Sequence, residues 1–284
     1  MSTHITAPTQ FVYVNGNRIA YRRFGAVTGV PVLFLNHFRA GLDHWDPLLT
    51  DGLAAGRPVV LLDSVGVAGS SGDPLDTFEE MADFAAEFLH AVDLPLVDVL
   101  GFSIGGAVAQ ALTIRHPELV RRLLLLGTIP PHGDMTDADP QVLEVLAHPE
   151  LTAEDFLFLF FGRSAAAQQA GRAFWERRHQ RTADVDPPTS PDVPPAQYAS
   201  LQTWEKWTER ERDAALEKIT APTLVANGDR DIMLPTVNSY TLARHIPNSQ
   251  LIVYPDAGHG AQFQYPRLFL AHATQFLDAE NPFS

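Results

Sequence analysis

The sequence predicts an α/β protein, a mostly parallel, eight-stranded sheet with helices on both faces. Three observations carry this. Short, almost wholly apolar runs recur along the chain, as strands buried on both faces require. Segments with apolar residues at a 3.6-residue period lie between them. The two kinds alternate, the order that builds a parallel sheet through crossover helices.

The elements follow in order. Phe11 to Val14, then Asn15-Gly16, then Arg18 to Phe24 reads as a hairpin, because Asn-Gly tolerates the positive φ angles of a tight turn. The buried strands are expected at Val32 to Leu35, Val59 to Leu62, Val97 to Leu100, Leu123 to Leu126, Thr223 to Ala226 and Leu251 to Tyr254. Helices are expected at Thr77 to Val92, with Asp76 or Thr77 as its cap, and at Ser103 to His116, Val237 to His245 and Pro266 to Leu277. Residues 129–216 break the rhythm. Phe156 to Phe161 is dense in aromatics, Ala165 to Arg178 and Ala196 to Leu216 read as helical, and the five prolines of Asp184 to Pro195 read as an irregular loop. A helical insertion over the C-terminal edge of the sheet is the expectation. It divides the chain into a core of residues 1–128 and 217–284 and a helical segment of residues 129–216.

Composition narrows the chemistry. The chain has 284 residues, a formal charge of −14 and no cysteine. Without cysteine there is no disulfide, no thiolate nucleophile and no cysteine-ligated metal. The negative charge argues against nucleic acid, whose phosphates need clustered positive charge. No apolar run is long enough to span a bilayer, and the first ten residues lack the pattern of a signal peptide. The expectation is a cytoplasmic monomer or small homo-oligomer acting on a small molecule, with no membrane or nucleic-acid partner, no cofactor and no metal.

The sharpest chemical signal is Gly101-Phe102-Ser103-Ile104-Gly105-Gly106. It follows a strand and opens a helix. Glycines on either side of Ser103 permit a tight turn that exposes the hydroxyl, the G-x-S-x-G nucleophile elbow. A serine hydroxyl needs a base. His259, in Ala257-Gly258-His259-Gly260, follows the last strand, and Asp229 and Asp231 follow the strand before it. A carboxylate there would hold the imidazole tautomer and stabilise the imidazolium.

On these residues the sequence resembles the α/β-hydrolase superfamily, in its esterase and haloperoxidase-like branch with a helical cap, over nearly the whole chain. Gly228-x-x-Asp231-x-x-x-Pro235 is similar to the family's acid motif and favours Asp231 over Asp229. Asp63-x-x-Gly66, followed by Gly69-Ser70, is similar to the family's D-x-x-G-x-G-x-S loop, with Ala68 in place of one glycine. The resemblance implies a Ser103, His259, Asp231 triad and identifies residues 129–216 as the cap. It also implies an oxyanion hole. Asn36-His37-Phe38 stands where the family has His-Gly-x, so the N–H groups of Phe38 and Ile104 are the implied donors, and a one-residue shift would substitute Arg39 for Phe38.

Candidate substrate contacts are His37, Arg39, Phe160, Trp204 and Trp207. His37 reads also as a satisfied loop histidine and the phenylalanines as ordinary helix packing, while Trp204 and Trp207, one helical turn apart, can share a face and point toward the site. Three functions compete. The first is a serine hydrolase cleaving a small, largely apolar ester, lactone or related acyl compound. The second is a perhydrolase, C–C bond hydrolase or cofactor-free dioxygenase on the same fold. The third is a small-molecule receptor with a retained triad.

Overall fold

The computed structural model describes residues 2–283. The chain runs β1 (Gln10–Val14), β2 (Asn17–Gly25), β3 (Val32–Leu35), α1 (Pro47–Ala54), β4 (Pro58–Leu62), α2 (Phe78–Ala91), β5 (Val97–Phe102), α3 (Ile104–Arg115) and β6 (Val120–Leu126). Then come α4 (Gln141–Leu146), α5 (Ala153–Phe160), α6 (Ala165–Arg178), α7 (Val193–Glu205) and α8 (Glu209–Leu216). It closes with β7 (Thr223–Gly228), α9 (Val237–His245), β8 (Ser249–Tyr254), α10 (Ala261–Gln264) and α11 (Pro266–Asp278).

One eight-stranded sheet has the order β1-β2-β4-β3-β5-β6-β7-β8. β1 and β2 pair antiparallel, as do β2 and β4; the other pairs are parallel. Strand residues alternate between two apolar cores. Val32, Phe34, Leu100, Phe102, Leu124 and Leu126 enter one. Leu33, Leu35, Val97, Val99, Leu123 and Leu125 enter the other. This two-sided burial is why the central runs are continuously apolar, and each fully buried aliphatic side chain contributes roughly 1.5–3 kcal/mol.

Several expectations change. β8 is an edge strand pairing only with β7, and its Val253 is exposed, so it is not buried on both faces. The single helix expected over Ala196 to Leu216 is two. Thr208 Oγ1 accepts from the Glu211 N–H while the Glu211 carboxylate accepts from the Thr208 N–H at 2.8 Å, a capping box that starts α8 afresh. α7 begins at Val193, so the proline-rich loop ends earlier than expected. α1 carried no reading from sequence; its buried face is short, and Asp46 caps it by accepting from the Leu48 N–H. Thr77, rather than Asp76, caps α2. Among the described residues the segment between β6 and β7 holds five helices and no strand, and no helix they form is long and apolar enough to cross a membrane.

Candidate active site

The sheet brings the motif loops to one edge. Leu35 pairs with Gly101, so Asn36 to Phe38 and Phe102 to Ile104 leave β3 and β5 side by side. Gly228 pairs with Tyr254, which places the Asp231 and His259 loops together past the ends of β7 and β8.

The elbow is strained. Ser103 has φ 57° and ψ −125°, a conformation costing a non-glycine residue about 1–3 kcal/mol. The surroundings hold it there. Its N–H donates to Leu126 O at 2.9 Å, and Thr128 Oγ1 donates to Ser103 O at 2.7 Å. A Cβ on Gly105 would collide with the Leu35 carbonyl, so only glycine lets the start of α3 pack against β3. Ile104 then opens α3, where helix N–H groups and the dipole favour negative charge.

His259 is fully buried. Its Nδ1 lies 2.8 Å from Asp231 Oδ2, while Asp231 Oδ1 accepts from the N–H groups of Met233 at 2.9 Å and Leu234 at 3.0 Å. With the carboxylate accepting throughout, the ring proton belongs on Nδ1 and the lone pair on Nε2. His259 Nε2 is buried and hydrogen-bonds to no described residue, Ser103 included. Such bonds commonly tighten only when substrate is in place. Gly260 N–H donates to Phe160 O at 2.8 Å, fastening the histidine loop to α5.

The oxyanion candidates separate. Arg39 N–H donates to Gln197 Oε1 at 2.8 Å, whereas among the described residues the N–H groups of Phe38 and Ile104 have no acceptor. Asn36 is a strut: its Nδ2 donates to Ala40 O and Leu62 O, and its Oδ1 accepts from Trp45 Nε1.

The substrate-contact candidates also separate. Phe160 lies 5.5 Å from His259 and 5.3 Å from His37, ring centre to ring centre. His37 is buried, its Nδ1 is 3.1 Å from Phe38 O, and its Nε2 has no partner. Burial, reinforced by Arg178 and His259, lowers it to about 3, so it is a neutral imidazole. Arg39 is corrected. Its guanidinium is spent on the carbonyls of Leu146, His148 and Pro149, anchoring the end of α4. Trp204 and Trp207 share one face. α7 turns this face toward α2, so Trp204 packs on Phe78 at 4.9 Å and donates to Glu79, with Trp207 beside it.

Two residues carry no reading from sequence. Gln197, on α7, holds the Arg39 N–H. Arg178, the last residue of α6, is buried with Nε and Nη1 unpartnered and its Cζ 4.5 Å from the centre of the Phe156 ring. Burial lowers it to about 10. In sequence, Arg177-Arg178 reads as a solvated helix end, which is why it passes unremarked. Among the described residues no group of three His, Cys, Asp or Glu side chains could hold a metal ion.

Comparison with known proteins agrees with this architecture. The chain is 28% identical over 261 residues to a 2-hydroxymuconate semialdehyde hydrolase of Pseudomonas sp. (strain CF600), covering 88% of this chain and 87% of that one. It is 31% identical over 232 residues to a poly(3-hydroxyalkanoate) depolymerase of Ectopseudomonas oleovorans, covering 81% and 77%. Among solved structures, an alpha/beta hydrolase fold protein from Chitinophaga pinensis superposes with a TM-score of 0.91 at 37% identity, over 98% of this chain and 100% of that one. The alpha/beta hydrolase fold profile itself matches residues 30–266, and with the eight-stranded sheet and its strand–turn–helix elbow this shows that the chain belongs to the alpha/beta hydrolase fold family.

Proposed function

We propose that the protein is a serine hydrolase that cleaves a small, largely apolar carboxylic ester, lactone or related acyl compound through an acyl-enzyme. The observation that supports this is the Asp231–His259 bond, which leaves the buried Nε2 free to act as a base, on the sheet edge that also carries the strained Ser103 elbow. His259 Nε2 takes the Ser103 proton as Oγ attacks the acyl carbon. The tetrahedral oxyanion is held by the N–H groups of Phe38 and Ile104. The leaving group departs with the proton from His259, and water then attacks the acyl-enzyme by the same route. Asp231 orients the ring and stabilises the imidazolium. Each oxyanion donor contributes about 2.7–4 kcal/mol in comparable enzymes. The engagement of the Arg39 N–H with Gln197 supports Phe38 over Arg39 as the first donor.

The helices of residues 129–216 act as the cap in this reading. Phe156 and Phe160 from α5 form an apolar wall beside His37 and His259, supporting an acyl group with apolar surface. The test is hydrolysis of para-nitrophenyl esters of graded chain length by wild type and Ser103→Ala. Loss of turnover in the variant is expected; equal rates would sink the assignment.

A further inference from the structure

We propose that the acyl compound taken by the site carries a neutral hydrogen-bond donor, an O–H or N–H group, beside its reacting carbonyl, and that Nε2 of His37 accepts from it. This rests on the serine-hydrolase reading and names its substrate class.

The tautomer of His37 carries the argument. His37 Nδ1 lies 3.1 Å from Phe38 O. A carbonyl oxygen only accepts, so Nδ1 holds the hydrogen. Burial keeps the ring neutral, with a single N–H to place. Nε2 is therefore a bare lone pair. It is buried, and among the described residues no donor reaches it. The ring cannot turn over to relieve this, because a flip would set a C–H against Phe38 O. The same peptide unit is held from its other side, where Arg39 N–H donates to Gln197 Oε1 at 2.8 Å. His4 also has an unpartnered Nε2, but its Nδ1 meets the Thr50 hydroxyl, which can donate or accept. Its ring packs on Phe24 of β2, with β4 and β3 between that strand and β5.

The position of His37 joins it to the proposed chemistry. It stands where the family's His-Gly-x motif has glycine, so this side chain is an addition to the loop that carries the Phe38 N–H. Leu35 pairs with Gly101, which brings that loop beside the elbow. Phe102, the residue before Ser103, has its ring centre 5.3 Å from that of His37 and 4.9 Å from that of His259. Phe160 lies 5.3 Å from His37 and 5.5 Å from His259. The two imidazoles thus share two phenylalanine neighbours, and each buries an Nε2 that no described residue engages. The proposed mechanism uses only the lone pair of His259, for the Ser103 proton. That of His37 is left for the substrate. Among aromatic walls a substrate O–H or N–H loses its water and needs an acceptor in exchange. A cationic donor is disfavoured, because Arg178 already sets positive charge against His37. A carboxylate or ether oxygen brings no hydrogen to share.

The test compares the methyl esters of 2-hydroxybutyric acid, 3-hydroxybutyric acid and N-acetylglycine with partners whose O–H or N–H is methylated, following acid release at constant pH. Wild type should favour the donor-bearing member of the best pair by about tenfold in kcat/KM, equal to about 1.4 kcal/mol. The pair that shows the preference tells O–H from N–H. His37→Phe removes both bonds of the ring. Loss of the bond to Phe38 O slows every ester alike, whereas loss of the Nε2 acceptor brings the ratio to about one, a change that a purely structural role would not produce. His37→Gln, which can offer an amide oxygen near the place of Nε2, should retain part of the ratio. In parallel, nitrogen NMR of isotope-labelled histidine in Ser103→Ala should show His37 Nε2 without a hydrogen. Its resonance should move on adding the favoured ester and stay on adding the methylated partner. Ester turnover with no donor preference in any pair would overturn the inference and leave the hydrolase reading standing. A moved Nε2 resonance with no turnover of these or of para-nitrophenyl esters would do the reverse. A preference that survives His37→Phe, or an Nε2 that carries the hydrogen, would also overturn it. Should His37→Phe fail to fold, the wild-type ratios, His37→Gln and the NMR spectrum decide.

Discussion

Arg39 N–H donates to Gln197 Oε1 at 2.8 Å, and this one bond ties the loop after β3 to α7 across 158 positions of sequence. It consumes the amide next to Phe38. Gln197→Leu leaves the Arg39 N–H without its acceptor, which costs about 1–3 kcal/mol if the amide stays buried. The expected outcome is a fall in kcat larger than any rise in KM, since the oxyanion donor loses its support. A change in KM alone would show that Gln197 does not position the loop.

The bond between Asp231 and His259 makes a second prediction. Asp231→Asn keeps the shape of the side chain but can donate to Nδ1, favouring the tautomer with the proton on Nε2. That proton blocks acceptance from Ser103. Turnover of para-nitrophenyl esters should fall by about 10³–10⁴-fold, by analogy with the same exchange in other triads, with the protein still folded by circular dichroism. A loss below tenfold would remove Asp231 from the triad.

The strands, the elbow and the acid and base loops were legible in the sequence because each depends on local pattern. Continuous apolar runs mark central strands, and glycines flanking Ser103 mark the turn. The edge strand β8 misled because an apolar run does not say whether both faces are covered. The segment of residues 129–216 was legible only as helix, since which face turns inward depends on partners far along the chain. Trp204 thus packs on α2 and not on His259, while Arg178, unremarkable in a basic helix end, is drawn inside.

Asp63 and Asp186 join the β4 loop to the proline-rich loop. Burial, then the charge of Asp186, raises Asp63 well above the usual carboxylate range. Burial, then Asp43, raises Asp186 from 3.8 to about 6. Asp63 Oδ2 accepts from the Gly69 N–H at 3.1 Å, and Asp186 Oδ2 accepts from the Leu42 N–H at 2.7 Å. Both folded-state values lie above the unfolded ones, so the native chain binds more protons. The stability from this pair is present below about pH 4 and is lost as pH rises through about 6. Asp186→Asn removes one of the two mutually repelling carboxylates. It should raise the unfolding free energy at pH 8 by about 1–2 kcal/mol after solvent screening, with the gain shrinking at pH 5. Equal gains at the two values, by urea titration, would show that the charge of Asp186 is not what destabilises the pair.

Two adjacent arginines at the end of α6 make opposite predictions for stability. Arg177 donates from Nε and Nη2 to Asp46, whose side chain is fully buried, at 2.6 to 3.1 Å. Arg177→Met strands that carboxylate and should destabilise the protein by about 3–5 kcal/mol. Arg178 has no such partner, so Arg178→Met removes an unpaired buried charge and replaces it with a side chain suited to the Phe156 and Trp175 surfaces. That variant should be more stable by about 0.5–2 kcal/mol in urea, the range typical of single stabilising substitutions. A loss of stability comparable to that of Arg177→Met would mean that the cation–π contacts of Arg178 with Phe156 and Trp175 hold the fold as firmly as the Arg177–Asp46 pair does.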